Sequence, residues 1–199
     1  MQKAFQVKAL RPHHTNFNEL EVALQEEACH VWQQISERHA FAVTSEYKTT
    51  LLWLLGVSPF IGRVLLAYGQ AAVEHILQEQ GFSQTYVHEQ VLATETEAQA
   101  MHVIRRLRRM EMARIASLDL TGNLALHNGL QANTAIADSL ITAACLWAQR
   151  QLAERYGYAL NATGEEQRLW VIAMGKLGGG ELNFSSDIDL IFCFEQQGE

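Results

Sequence analysis

Helical periodicity dominates this sequence and sets its fold class. Between residues 16 and 156, apolar side chains recur at spacings of three and four residues, which is typical of amphipathic helices. The chain has only two prolines, both before residue 60, so none interrupts the later helical pattern. Long helices are predicted over 16–38, 94–119 and 132–156. We therefore expect an all-helical region over residues 1–160.

Capping signals predict where several helices begin and end. Asn16 and Thr94 are each followed three residues later by Glu, the pattern of a capping box. Ser58 stands directly before a proline and predicts another helix start. Shorter helices are expected over 47–55 and 70–80, because a glycine follows each of these stretches.

The charge balance limits the partners that this chain can bind. Fifteen Lys and Arg against 22 Asp and Glu give a net charge of -7, whereas nucleic-acid binding needs a basic surface. The longest apolar run, Leu51–Val57, is too short to cross a bilayer, and the first residues lack a secretory signal pattern. The three cysteines form no CxxC pair, which fits a reducing compartment. We expect no nucleic-acid partner, no membrane association and a cytoplasmic protein.

The hydrophobic period changes after residue 160. Residues 169–174 and 187–194 have the apolar character of strands, and a glycine-rich turn, 175–180, separates them. Sequential strands are usually neighbours, so the two are predicted to pair. The expected fold class is mainly α: a helical region over 1–160, followed over 161–199 by the first two strands of an α/β domain.

The most specific chemical feature is Asp187-Ile188-Asp189. Residues two apart on a strand share one face, roughly 6.6 Å apart, so both carboxylates would project together while Ile188 and Leu190 enter the core. Two like charges on an apolar strand repel each other, and a bound divalent cation offsets that cost. Phosphoryl and nucleotidyl transfer use carboxylates in this way to hold Mg²⁺. Asp187 and Asp189 are the predicted catalytic metal ligands.

The glycine-rich turn before the acidic pair is predicted to contact a nucleotide phosphate. Its glycines let the backbone approach phosphate oxygens and present N–H groups to them. Two hydroxyls can add donors, and the turn lysine either contacts a phosphate or is a solvated surface residue. The turn matches neither GxxxxGK[ST] nor GxGxxG, which excludes Walker and Rossmann sites. The predicted nucleotide-binding residues are Lys176, Gly178, Gly179, Gly180, Ser185 and Ser186.

The order of strand, Gly-Gly, about nine residues and Asp-x-Asp resembles the DNA-polymerase-β-like nucleotidyltransferase superfamily. MGKLGGGELNFSSDIDLIF, residues 174–192, is similar to the signature of bacterial bifunctional glutamine synthetase adenylyltransferase/adenylyl-removing enzymes, and more so to their N-terminal, adenylyl-removing half. LRRMEMARIASLDL, residues 107–120, resembles the arginine-rich helix that precedes the catalytic unit of that family. The first ninety residues resemble the family only loosely.

The resemblance implies a reaction and partners. Inorganic phosphate would attack an adenylyl-tyrosine on glutamine synthetase and release ADP, and the other half of such an enzyme would adenylylate the synthetase from ATP. Mg²⁺ and ADP or ATP are the implied cofactors, and the PII signalling protein is the implied regulator. The superfamily places a third carboxylate on a later strand, so the chain is expected to be an N-terminal fragment that is inactive alone.

Two other function classes stay open from the residues. The chain could be a standalone small-molecule nucleotidyltransferase, or a non-catalytic module that docks glutamine synthetase or PII. The arginines between Arg105 and Arg114 could face a phosphate or a partner, but ion pairs of Glu111 with Arg108 and Arg114 are the stronger interpretation. The eight histidines show no ligand spacing and predict no metal site.

Overall fold

The computed structural model describes residues 15–39, 43–167 and 169–194 and confirms a mainly α fold. A single 3-10 turn, Phe17–Glu19, precedes the first helix. Within the described ranges, the helices are α1 (Val22–Arg38), α2 (Ser45–Val57), α3 (Pro59–Tyr68), α4 (Gln70–Ile76), α5 (Gln84–Leu92), α6 (Glu97–Leu120), α7 (Leu126–Tyr156) and α8 (Gly175–Gly178), and the strands are β1 (Trp170–Ala173) and β2 (Leu190–Cys193).

The chain divides into two compact units. The first contains the described residues up to Gly81 together with 109–129, and the second contains 82–108 and the described residues from 130 onward. Helices α6 and α7 each contribute residues to both units. The predicted boundary between a helical region and a catalytic domain near residue 160 stays a prediction.

The first unit packs α1, α2 and α3 around a closely fitted apolar core. Gly56 was predicted to end a helix, but α2 continues to Val57 and Gly56 is buried within it. A Cβ added at Gly56 would lie 2.8 Å from Leu20 Cδ1 and 3.1 Å from the Leu24 carbonyl oxygen. The glycine is therefore a packing residue that allows α1 and α2 to approach each other.

The apolar composition of α2 and α3 is explained by burial in this unit. No single helix in the described ranges is long and apolar enough to cross a membrane, although these two together meet the length and composition, with a bend of 120° between them. Leu51 and Leu54 of α2 and Ile61 and Leu65 of α3 are fully or almost fully buried. The Ser58 hydroxyl caps α3 by accepting a hydrogen bond from the Ile61 N–H, as the sequence predicted.

The second unit forms around α5, which the sequence did not predict. The predicted helix over 70–80 ends at Ile76 as α4, and Ser83 caps the separate helix α5. Buried side chains of α5, α6 and α7 make one apolar cluster. Its members are Val87, Val91, Leu107, Ile136, Leu140 and Ala143.

The start of α6 corrects the predicted capping box at Thr94. The Thr94 hydroxyl donates to the Val91 carbonyl, 2.7 Å away, and so belongs to the end of α5. The reciprocal box is formed by Thr96 and Gln99 instead. Thr96 Oγ1 accepts from the Gln99 N–H at 3.3 Å, and Gln99 Oε1 accepts from the Thr96 N–H at 3.1 Å. The sequence pattern located the helix start within two residues but assigned it to the wrong hydroxyl.

A buried ion cluster in the first unit joins α4 to α6. Glu111 Oε2 lies 2.6 Å from His75 Nε2, and Glu111 Oε1 lies 2.7 Å from Arg114 Nη2. Arg114 Nη1 also donates to the Glu79 carbonyl at 3.4 Å. A Cβ added at Gly81 would collide with the Glu111 carboxylate. The predicted pair of Glu111 with Arg114 is confirmed, and His75 completes the cluster.

The cluster predicts a loss of stability in acid. Burial by itself would raise the pKa of Glu111, but hydrogen bonds from His75 and Arg114 outweigh it and lower that pKa from 4.5 to about 2. Because the folded-state pKa lies below the unfolded value, the carboxylate stabilises the fold fully above pH 4.5. We expect up to about 3 kcal/mol of this stabilisation to disappear as pH falls toward 2. Urea unfolding at several pH values should show a slope between pH 4.5 and 2 that is clearly flatter in Glu111→Gln; equal slopes would contradict the assignment.

Candidate functional site

The C-terminal hairpin pairs the strand that leads into the glycine turn with the strand that follows the acidic pair. Strands β1 and β2 are antiparallel, with Ala173 opposite Leu190, so the predicted pairing is confirmed. The Met174 N–H donates to the Asp189 carbonyl oxygen at 2.9 Å, which extends the pairing one residue beyond both strands. Asp189 therefore lies directly beside the residue that precedes Gly175 and the turn.

The glycine turn is a single helical turn, α8, followed by a left-handed residue. Gly175 begins α8 with φ 56° and Gly180 ends the turn with φ 73°, conformations that L side chains rarely adopt. A Cβ at Gly178 would collide with the Ala173 carbonyl oxygen. By contrast, a Cβ at Gly179 would make only ordinary contacts, the nearest at 3.5 Å from the Gly175 carbonyl oxygen. The backbone of this turn therefore depends on Gly175, Gly178 and Gly180. Of these three, only Gly175 was not among the predicted site residues.

Two buried leucines fix the turn and the loop after it to the second unit. Leu177 of α8 and Leu182 of the loop are almost fully buried. The Leu182 N–H donates to Thr134 Oγ1 of α7 at 3.2 Å. The Glu181 N–H donates to the Lys176 carbonyl at 2.8 Å and closes the turn. These contacts hold the loop in place while its polar side chains face solvent.

The other predicted nucleotide-binding residues differ in their exposure to solvent. The side chain of Lys176 is exposed on α8, Ser185 is exposed and Ser186 is half-buried. The Ser186 N–H donates to the Asn183 carbonyl at 3.3 Å, so a local turn holds the two serines just before Asp187. The side chains of Lys176 and Ser185 are accessible to a ligand.

The predicted strand 187–194 is shorter than expected, and one burial prediction is wrong. Strand β2 begins only at Leu190, so the alternation of faces does not govern the residues before it. Ile188, predicted to be buried, is 42% exposed, while Leu190 is half-buried. Asp187 and Asp189 are both exposed. Whether their carboxylates share one face stays a prediction.

The donor set of the hairpin fits a hard cation in part. Asp187 and Asp189 offer carboxylate oxygens, which are the ligands that Mg²⁺ prefers. The two residues are separated by one residue, and the hydrogen bond from Met174 to Asp189 anchors this segment. Among the described residues, no three His, Cys, Asp or Glu side chains are grouped so as to hold a metal. The two carboxylates therefore fit part of a Mg²⁺ coordination shell, with water, phosphate or further protein ligands completing it.

Comparison with known proteins places the chain in a family. A family model described as glutamate-ammonia ligase adenylyltransferase matches residues 48–199, which is well over half of the chain and includes the hairpin. The chain is thus a member of a family of nucleotidyl-transferring enzymes, the glutamate-ammonia ligase adenylyltransferases.

Individual relatives agree with this assignment. The bifunctional glutamine synthetase adenylyltransferase/adenylyl-removing enzyme of Idiomarina loihiensis is 35% identical over 178 residues, covering 84% of this chain and 19% of that protein. The protein of the same name from Shewanella loihica is 36% identical over 174 residues, with 84% and 18% covered. The one from Thioalkalivibrio sulfidiphilus is 48% identical over 109 residues, 55% of this chain and 11% of that protein. The chain spans about a fifth of the length of the first two relatives.

Proposed function

We propose that this chain is part of an enzyme that controls glutamine synthetase, and that its hairpin contributes to removing AMP from the modified synthetase. The observation that carries the proposal is the hydrogen bond from the Met174 N–H to the Asp189 carbonyl, because it places the backbone of Asp189 beside the residue that precedes the glycine turn. The names of the relatives, which pair adenylyltransferase with adenylyl-removing activity, support it. The likeness of residues 174–192 to the signature of the adenylyl-removing half favours removal over transfer for this segment.

In this proposal the residues of the hairpin bind and orient the reacting phosphates. Asp187 and Asp189 would hold Mg²⁺, which when bound would neutralise charge on phosphate oxygens and orient them. The backbone of the turn that ends at Gly180 would present N–H groups to phosphate oxygens, with donors from Ser185 and Ser186. Lys176 would add a positive charge at the same side of the turn.

The proposed chemistry is phosphorolysis. An oxygen of inorganic phosphate forms a bond to the phosphorus of the AMP group, and the bond from that phosphorus to the tyrosine oxygen breaks. The tyrosine oxygen gains a proton, and the products are ADP and the unmodified synthetase. The transfer of AMP from ATP would belong to another part of the longer enzyme, the PII protein would regulate both reactions, and the enzyme would act in the cytoplasm as part of nitrogen regulation.

The reaction class is tested by the phosphate requirement of the longer enzyme that contains this chain. Incubation with adenylylated glutamine synthetase, Mg²⁺ and ³²P-labelled phosphate should yield labelled ADP, and omission of phosphate should stop release. Release of AMP without phosphate would show hydrolysis and would contradict the proposal.

The 199-residue chain alone is expected to give no turnover. Its described residues include no group of three His, Cys, Asp or Glu side chains that could hold a metal, whereas aligning the attacking and leaving oxygens needs several ligands. A misplacement of about 1 Å can already cost roughly a hundredfold in rate. The purified chain, incubated with adenylylated synthetase, phosphate and Mg²⁺, should yield no ADP above the blank. Measurable turnover would show that the site is complete within this chain.

A further inference from the structure

A cleft in the first unit, away from the hairpin in sequence, has the chemistry of an anion site. It has a volume of about 290 Å³ and lies along one face of α3, opposite a residue of α6. Its lining residues are Phe60, Arg63, Val64, Ala67, Tyr68 and Arg109. The five α3 residues recur at helical spacing, so they form one continuous stripe.

Two arginines give the cleft a positive charge that nothing in its described lining neutralises. Arg63 and Arg109 are both exposed, and neither forms an ion pair with another described residue. No Asp or Glu is among the described residues that line the cleft. Two guanidinium groups at one opening can bind the oxygens of one phosphate with several charge-assisted hydrogen bonds.

The floor and walls of the cleft are apolar and aromatic. Val64 is 2% exposed and forms the floor, while the rings of Phe60 and Tyr68 are half-buried at the two ends of the stripe. Aromatic rings bind planar rings by stacked or edge-on contacts, and arginine stacks on such rings as well. The volume suits a small molecule rather than a folded protein segment.

We propose that this cleft binds a small phosphate ester of an aromatic ring. The phosphate lies between Arg63 and Arg109, and the ring lies over Val64 between Phe60 and Tyr68. This binding is independent of the hairpin and of Mg²⁺.

The experiment uses phenyl phosphate as the probe and isothermal titration calorimetry on the 199-residue chain without divalent cations. Phenyl phosphate should bind at one saturable site, at least about tenfold more tightly than inorganic phosphate, which lacks the ring, and than benzoate, which lacks the phosphate. Binding of inorganic phosphate as tight as that of phenyl phosphate would overturn the role of the ring. Binding of benzoate that is equal or tighter would overturn the choice of a phosphate.

Variants of the lining separate this site from general charge attraction. Arg63→Gln and Arg109→Gln should each weaken phenyl phosphate binding about tenfold or more, and Ala67→Phe, which fills the cleft without changing charge, should abolish binding. Arg108→Gln removes the same charge from the neighbouring exposed position outside the cleft and should change nothing. The proposal would be overturned if Arg108→Gln weakened binding as much as the two lining variants do. It would also be overturned if Ala67→Phe kept full binding with an unchanged melting temperature, or if the unaltered chain showed no saturable binding.

Discussion

Replacement of Glu111 by alanine is expected to lower the free energy of unfolding by about 3–5 kcal/mol. The substitution leaves Arg114 and His75 buried at 6% and 2% exposure without the carboxylate that pairs with both. Removing one partner from a buried ion cluster costs more than the pair contributes, because the remaining charge stays desolvated. Urea unfolding of the 199-residue chain measures this difference. Glu111→Gln keeps the volume and should lose less, so it gives a measurable value if the alanine variant does not fold.

A matched control and a double-mutant cycle separate the cluster from general helix effects. Glu154→Ala removes an exposed carboxylate from α7 and should change the free energy of unfolding by less than about 0.5 kcal/mol. Gly81→Ala should also destabilise the chain, because its Cβ would collide with the Glu111 carboxylate. In the Glu111→Ala background the collision with the carboxylate is gone and only Arg114 Nη2, 2.9 Å from that Cβ, stays close, so Gly81→Ala should cost less. Additive effects of the two substitutions would contradict the described contact.

Replacement of both Asp187 and Asp189 by asparagine is expected to abolish removal of AMP by the longer enzyme. Each asparagine keeps the shape of the side chain but removes a negative ligand for Mg²⁺. Loss of one electrostatic group at a reaction centre costs about a hundred- to thousandfold, so loss of both should exceed roughly a thousandfold. The rate of labelled ADP formation from adenylylated synthetase and phosphate measures the effect.

The same variant must keep its fold for this result to have meaning. Removing two neighbouring like charges relieves repulsion, so the melting temperature should stay the same or rise. The control variant Asp119→Asn with Glu154→Gln removes the same two charges from exposed positions outside the hairpin and should keep full activity. Transfer of AMP from ATP should continue in the hairpin variant. Loss of transfer with retained removal would assign the hairpin to the other reaction.

The sequence predicted the helices well where local pattern and capping agree. Ser58 before a proline located the start of α3, because a hydroxyl cap and a missing N–H are both local properties. Gly56 misled the prediction because its role is tertiary: it makes room for Leu20 and Leu24 against α2. Helix α5 was missed because its cap, Ser83, lies only two residues after Gly81, the glycine that predicted the end of the preceding helix.

The sequence predicted the order of the elements that form the candidate site, but not their detailed geometry. The order of two strands around a glycine turn predicted that the strands pair, and the structure adds the antiparallel register that sets Asp189 beside Met174. Ile188 was assigned to the core because the strand was assumed to be regular from residue 187. The left-handed backbone of Gly175 depends on how β1 leads into α8, which a count of consecutive glycines does not reveal.

Mn²⁺, a paramagnetic substitute for Mg²⁺, can show whether Asp187 and Asp189 form the proposed cation site beside the glycine turn. In an NMR titration of the 199-residue chain, we expect broadening to appear first at the amides of residues 187–190. The broadening should appear equally early at Met174, whose N–H donates a hydrogen bond to the Asp189 carbonyl oxygen. It should vanish in the double variant that carries both Asp187→Asn and Asp189→Asn. Broadening that centres on other exposed carboxylates, or that is unchanged in the variant, would show that Asp187 and Asp189 do not form this cation site.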